Sequence, residues 1–380
     1  MEDSTTSMAK ITKFIITTIF ILGISLSFVP IGCFDKVCAN IDIHFLELGN
    51  ASAGDCIYIK AGETDILIDA GSKANSLDDI TNYIDNYITD GKIEYAIITH
   101  AHEDHYACYA TSDWEKSLFS QYQFGTIITF AGSKSTAKQY TYFQNNLEQT
   151  VSTYKSKHYT ALECVNGENG AQQEYQLAEG ITLKILDSYY YENVDSNENN
   201  NSVCFLITQG SKNYLFTGDL EKEGEKSLVK LNDLPKCDLY KAGHHGSGTS
   251  SIDELLSKIA NVGENRLNVV VTCVAGSTEY TNTISDIFPT QDMIDRVAKY
   301  TDKVYVTSMV EYEYSEDYII EPNGTITSDN YKSKTLDSMN GCIVYRSNGS
   351  YLEINCSNNT TKLKDTDWMF EWRIIPEEWR

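Results

Sequence analysis

The chain has 380 residues, 41% of them hydrophobic, enough for one large core or two modest ones. Its formal net charge of −24 excludes a broad nucleic-acid-binding surface, because a phosphate backbone would be repelled, and leaves room only for a local basic groove. Twenty-six tyrosines suit a β-rich secreted protein, and the 23 glycines against five prolines predict flexible rather than rigid turns.

The N-terminus supports export. Lys10 and Lys13 precede an uncharged apolar run from Phe14 to Leu26, and small residues follow at Val37-Cys38-Ala39. That is the order of a secretory signal, with cleavage favoured after Ala39. An uncleaved anchor and lipid attachment at Cys33 are the alternatives. No second span of about 20 apolar residues follows, so the mature chain is expected to be soluble. The chain has ten cysteines, none in Cys-x-x-Cys spacing, and Cys204, Cys273 and Cys342 lie in apolar strand runs, which points to buried free thiols.

In chain order, Ile41–Leu48 alternates as a strand that includes His44, read as a structural residue. Gly49 to Asp55 turns into the strand Cys56–Lys60, and Ile66–Gly71 is a third strand ending in Asp69 and a glycine turn. Ser76 and Asp79 suggest a capping box for a helix with Ile80, Tyr83, Ile84, Tyr87 and Ile88 on one face, stopped by Gly91. The strand Tyr95–Thr99 then opens into His100-Ala101-His102-Glu103-Asp104-His105. Three of the chain's seven histidines fall here, beside two carboxylates, and these are the ligands that zinc, manganese and iron accept. His100 and His102 project to the same side of an extended segment.

The next stretch, to Gly180, is more polar, with a strand at Gly125–Phe130 and a helix carrying Tyr140, Phe143, Leu147, Val151 and Tyr154. His158 has no neighbour that would make it a ligand. An acidic and amide run, Glu192 to Asn201, ends at the strand Ser202–Ile207. Two further strands end in metal-binding residue types: Tyr214–Asp219, and Asp238–Gly243 leading to His244-His245-Gly246-Ser247. Five of the seven histidines therefore sit at strand ends.

Taken together, Ile68-Asp69-Ala70-Gly71, the His100–His105 motif, Asn200-Asn201-Ser202, Phe216-Thr217-Gly218-Asp219 and His244-His245-Gly246-Ser247 resemble the metallo-β-lactamase superfamily. They look most like the hydrolase domain of ComEC/Rec2-type competence proteins. The motifs follow the family's order over about residues 41 to 310. The resemblance implies an α/β fold, an αββα sandwich with a two-metal cleft at one edge. By the family pattern His100 and His102 bind the first metal, Asp104 and His105 the second, and Asp219 bridges them. One of His244 and His245 completes the second site; His245 is assigned as the ligand and His244 as a catalytic acid, with Asp104 also catalytic. Asp69 would support the ligands from behind. The third histidine that many relatives give the first metal, near Asn201-Ser202, is lacking here, as in this subgroup. The loop at Gly49–Asp55 is longer than the family's, and Phe288-Pro289 stands where many relatives have His-Pro.

The implied cofactors are two divalent ions, zinc first and manganese second. Such ions lower the pKa of water towards about 7 and can stabilise both oxygens of an in-line displacement, which suits phosphoesters better than amides. Asn201, Ser202 and Ser247 are candidate neutral donors to the substrate. The expected organisation is a signal segment at 1–39, a hydrolase domain at 40–310, and a C-terminal β-hairpin extension with a Trp-rich tail at 311–380, turning at Asn323-Gly324 and Asn348-Gly349. If Ser347 pairs with Ser350, Cys342 and Cys356 point to opposite faces and stay reduced. The leading function is a secreted or cell-surface phosphodiesterase acting on a phosphoester, with nucleic acid a candidate substrate and no membrane channel. The alternatives are a cell-envelope phosphoester hydrolase, such as a phosphorylcholine esterase, and a non-catalytic wall-binding protein with a relic metal site. The oligomeric state is left open.

Overall fold

The computed structural model describes residues 38–261, 266–314 and 331–380. The apolar run at 14–26 and the turn at Asn323-Gly324 lie outside them. Strands β1 (Ile41–Phe45), β2 (Ile57–Ala61), β3 (Thr64–Ile68), β4 (Lys92–Ile98), β5 (Gln123–Thr129) and β6 (Lys157–Thr160) are followed by β7 (Glu174–Ala178), β8 (Ile181–Ile185), β9 (Phe205–Gln209) and β10 (Lys212–Phe216). Then come β11 (Leu239–Lys241), β12 (Asn268–Ala275), β13 (Val304–Tyr314), β14 (Tyr331–Ser338), β15 (Ile343–Ser347) and β16 (Leu352–Cys356). They form two sheets, ordered β16-β15-β1-β2-β3-β4-β5-β6 and β14-β13-β12-β11-β10-β9-β8-β7.

Period-two alternation builds the layers. In β10, Tyr214 and Phe216 face one core while Leu215 faces a second; in β12, Val270 faces the first core while Val269 and Val271 face the second. The first core lies between the sheets, where Phe216 stacks on Phe205 at 4.7 Å and on Phe45 of the other sheet at 6.3 Å. It also takes in the helices α1 (Leu77–Ile84) and, further along, α4 (Lys138–Tyr154), through Ile80, Ile84, Phe143 and Leu147. Two intervening helical turns, α2 (Glu103–Tyr106) and α3 (Leu118–Gln121), pack beside it through Tyr106, Leu118 and Phe119. The second core is closed by Leu228, Leu255, Leu256, Met293 and Ile294 from the helical segments Lys222–Leu231, Asp253–Ile259 and Gln291–Ala298. The result is an αββα sandwich, as the α/β reading expected.

Several local expectations change. The strand at Ile41 is buried on both faces rather than alternating in exposure, because Phe45 packs on Phe216 of the other sheet while His44, on the opposite face, is covered by Tyr83 and Tyr87. Helix α1 stops at Ile84, and no capping box forms: Ser76 sits in a preceding 3-10 turn, where its hydroxyl donates to Leu48 O at 3.0 Å and accepts from Asn50 at 2.8 Å. The β15–β16 register places Ser347 opposite Leu352, not Ser350, because Asn348 Oδ1 accepts the Ser350 and Tyr351 amides and closes a four-residue loop. The shift is by two residues, so the parity is kept: Cys356 opposes Ile343, Cys342 lies next to the Ile343 position, and both thiols are free. In the tail, Trp368 and Trp379 are buried in the second core and Trp372 stacks on Trp368. At the expected cleavage site, Ala39 is bonded into the fold, donating to Glu179 O at 2.8 Å and accepting from Gln209 Nε2 at 2.6 Å. No helix of the described residues is long and apolar enough to cross a membrane.

Candidate metal centre

Strands β3, β4 and β5 run parallel in one sheet, and β10, β11 and β12 in the other. Their carboxyl ends open on the same edge, where a parallel sheet leaves a crevice and side chains are free to converge. Asp69 follows β3, Thr99 to His105 follow β4, Asp219 follows β10, and His244 and His245 follow β11. Two glycines are required by close approach. A Cβ on Gly71 would lie 2.5 Å from Asp104 O, and one on Gly218, whose φ is +54°, would lie 2.9 Å from Ser202 Oγ.

Asp104, His105, Asp219 and His245 place four ligand atoms within 4.8 Å of one another. His105 donates Nδ1–H to Asp69 at 2.7 Å and turns Nε2 toward Asp219 Oδ2 at 3.1 Å. Asp69 also accepts from the Thr99 amide and hydroxyl, each at 2.7 Å, which locks the start of the histidine loop. His245 donates Nδ1–H to Thr272 O at 2.8 Å, leaving Nε2 3.1 Å from Asp219 Oδ2 and 3.4 Å from Asp104 Oδ2. That Nε2 is buried and has hydrogen-bond geometry to neither oxygen. A buried nitrogen aimed among carboxylate oxygens without bonding to them is what a shared cation would resolve, so these residues fit a divalent ion. His100 Nε2 and His102 Nδ1 lie 3.0 Å apart, a chelating pair on the other side of the motif. His100 and His102 join no group of three candidate ligands among the described residues.

Electrostatics agree. Burial by itself would push the His245 imidazole down, but the Asp219 charge and the contact with Asp104 carry it up to about 10. His105 is raised in the same way, against its burial, by Asp219 and Asp69. Burial alone would raise Asp104, yet His245 and His105 hold it well below the carboxylate range. Without a cation the protons on the two imidazoles balance the carboxylates; a cation would take that place. His100 is instead held well below its ordinary value by burial and by the neighbouring His105, so it stays neutral.

The turn that presents the paired histidines is strained: His244 and His245 have φ of +47° and +52°. Fully buried Glu225 anchors the chain beyond it, accepting from the Ser251 and Ile252 amides at 2.7 and 2.8 Å, while Tyr240, 3.3 Å from Glu225, accepts from the Gly243 amide. His245 is the member inside the cluster. His244 is half-buried, with Nδ1 3.4 Å from Glu221 and 3.2 Å from Thr249 Oγ1, and its ring lies 5.7 Å from Phe288. Glu221 is held in turn by the Asn197 and Asn199 amides, both at 3.0 Å, which is the part that the acidic and amide run plays.

The expected substrate donors are each hydrogen-bonded within the chain. Ser202 is fully buried and its Oγ accepts from the Asp219 amide at 3.1 Å, so it positions the carboxylate. Asn201 is tied to Asp195 and Glu198 inside its own loop. Ser247 closes a turn with Thr249. His44 packs among Tyr58, Tyr83 and Tyr87, and its Nδ1 lies 2.9 Å from the Tyr83 hydroxyl. His158 lies 2.9 Å from Thr129 Oγ1, away from the cluster.

Three contributors escaped the sequence reading. Lys241 is buried, with Nζ 2.6 Å from Asp55 and 3.2 Å from Asp219 Oδ1. Asp55 also accepts from Thr272 Oγ1. Tyr280 donates to Asp104 Oδ2 at 2.7 Å. A buried lysine one position ahead of Ala-Gly-His-His is a usable signal, because lysine is almost never fully buried unless paired; Asp55 and Tyr280 sit in irregular loops with no periodicity to mark them.

The family model described as the metallo-beta-lactamase superfamily matches residues 49–109, the stretch that holds Asp55, Asp69 and the whole His100–His105 motif. Over that stretch the chain is similar to the metallo-β-lactamase superfamily, and the curated relatives it matches are competence and recombination proteins. The chain is 33% identical over 89 residues to ComE operon protein 3 of Bacillus subtilis, covering 22% of this chain and 12% of that protein. It is also 33% identical over 81 residues to Recombination protein 2 of Haemophilus influenzae, covering 21% and 10%. Competence protein ComA of Neisseria gonorrhoeae matches at 33% over 91 residues, 24% of this chain and 13% of that one. The chain thus spans about an eighth or less of the length of these curated relatives. Among solved structures, the metallo-beta-lactamase fold protein YhfI of Bacillus subtilis overlaps 53% of this chain and 70% of its own, at 15% identity and a TM-score of 0.33. CmlA, a diiron beta-hydroxylase from Streptomyces venezuelae, overlaps 71% and 44%, at 15% identity and a TM-score of 0.34.

Proposed function

We propose that this chain is a metal-dependent hydrolase of phosphodiesters, exported by its N-terminal segment and working outside the cytoplasm. The observation that carries the reading is the orphaned His245 Nε2, buried beside Asp104, His105 and Asp219. His245, His105, Asp104 and Asp219 would hold one divalent ion. His100 and His102, with Asp219, would hold the other. Bound at these positions, divalent ions would supply a Lewis acid for a phosphoryl oxygen and a lowered pKa for water. Zinc suits the imidazole-rich donor set, with manganese second.

The chain's own residues divide the remaining work. Thr272 O holds the proton on His245 Nδ1 and so keeps Nε2 free for the ion. Asp69 does the same for His105. Lys241 holds the second oxygen of Asp219, so that Oδ2 is the one presented to both imidazoles. His244, steadied by Glu221 and less buried than the ligands, delivers a proton to the leaving alkoxide.

A panel of bis-para-nitrophenyl phosphate, single-stranded DNA and phosphorylcholine esters, each with zinc and with manganese, tests the reading, with Asp219→Ala as the inactive control. A metal-loaded protein that cleaves no phosphodiester would overturn it. The phosphorylcholine arm has its own support. The Tyr280 and Phe288 rings, 5.7 Å apart beside the centre, and a net charge of −24 suit a cationic headgroup better than a polyanion.

A further inference from the structure

A phosphodiester at this centre needs hydrogen-bond donors for its non-bridging oxygens beyond the ions themselves. The serine and asparagine donors near the motifs are bonded inside the chain. Lys241 is only 1% exposed and enclosed by Asp55 and Asp219. Tyr280 differs from all of these. It is 53% exposed, yet its hydroxyl reaches Asp104 Oδ2 at 2.7 Å, so the side chain spans from solvent to a candidate metal ligand.

The placement is built into the fold. The segment that carries Tyr280 is fastened to the loop after β1 at two points. Ser277 Oγ donates to Ala51 O at 3.0 Å, and Glu279 Oε2 accepts from the Ala53 amide at 2.8 Å. Glu279 also pairs with Lys73 at 3.1 Å. The Phe288 ring lies 5.7 Å from the phenol ring of Tyr280 and 5.7 Å from the His244 ring. Tyr280 and His244 are therefore two half-open donors beside one aromatic ring, and His245 lies 6.4 Å from the same ring.

We infer that Tyr280 is a substrate-binding residue whose hydroxyl moves from Asp104 to a non-bridging phosphoryl oxygen of the bound ester. The inference rests on the phosphoester reading for its substrate class. The hydroxyl keeps its proton throughout, exchanging one acceptor oxygen for another, and no bond to it is made or broken. Asp104 then has Oδ2 free for the ion, which couples substrate binding to a complete ligand set.

The test compares Tyr280→Phe with the parent protein, both loaded with manganese or zinc. For bis-para-nitrophenyl phosphate the variant is expected to raise KM about tenfold with kcat within about twofold, the size of one hydrogen bond to a charged acceptor. The affinity of the metal-loaded protein for inorganic phosphate, measured by calorimetry, should fall by the same factor, with metal content per chain unchanged. An unaltered KM and phosphate affinity would overturn the inference. So would a loss of metal from the variant, since Tyr280 would then act through Asp104 and not on substrate. If the parent cleaves no phosphodiester, the functional reading fails by itself, and the phosphate measurement still decides for or against Tyr280.

Discussion

Replacing Lys241 by methionine keeps the aliphatic stem and removes the ammonium that lies 2.6 Å from Asp55 and 3.2 Å from Asp219. Burial alone would disfavour that charge, but the two carboxylates outweigh it and hold the lysine above its ordinary pKa. All three side chains are at most 2% exposed, so solvent does little to screen what remains. Breaking a buried ion pair by removing one partner costs about 3–5 kcal/mol, because an uncompensated charge is left behind. Here two carboxylates are left, and the upper half of that range is expected in chelator. A divalent ion supplies the missing positive charge, so the variant should bind it more tightly than the parent does. A tenfold gain in affinity narrows the stability gap by about 1.4 kcal/mol at saturating metal. Urea unfolding of both proteins, first in chelator and then with zinc, measures the two gaps. A Lys241→Met protein as stable as the parent in chelator, or a gap that widens with zinc, would refute the assignment of Lys241 as the charge partner of the centre.

Three further outcomes are expected. Asp69→Asn, which replaces the acceptor of His105 Nδ1 and of Thr99, should weaken zinc binding about 10- to 100-fold in competition with a chromophoric chelator; unchanged affinity would remove Asp69 from the support of the site. Burial pushes the Glu225 carboxyl up from 4.5 to about 7, against the Ile252 and Ser251 amides that bond to it. A folded pKa above the unfolded one means that its stabilisation is complete below about pH 4.5 and lost as pH rises through 7, roughly 3 kcal/mol over the window. Relative to the parent, Glu225→Gln should therefore gain stability by about that amount from pH 4.5 to 7, and a difference independent of pH would count against the buried charge. Non-reducing peptide mapping should recover Cys342 and Cys356 in separate peptides, as their adjacent, oppositely facing positions require; a linked peptide would show the β15–β16 register to be wrong.

The strands and the metal-binding residue types at their ends were legible in the sequence itself, while the αββα sandwich came from the resemblance that those motifs carry. Apolar β-branched runs ending in His, Asp or Gly can be read locally, because strand length, side-chain alternation and turn chemistry act over a few residues. His100, His102, Asp104, His105, Asp219 and the His244-His245 pair were legible for that reason. Which of the pair turns inward was not, because it depends on a left-handed turn anchored by Glu225, Tyr240 and Ser251 from three different segments. Only the tertiary structure brought Ser202 to the Asp219 amide, across 17 residues of chain. It likewise brought Asp55, Lys241, Thr272 and Tyr280 to the centre. The hairpin shows the same division: alternation with an even-length turn put Cys342 and Cys356 on opposite faces, while the actual loop length waited on the bonds of Asn348. Period and turn chemistry are written into neighbouring residues, whereas charge compensation and hydrogen-bond satisfaction in a buried site are met by whichever group the packing of the two sheets brings within 3 Å or so.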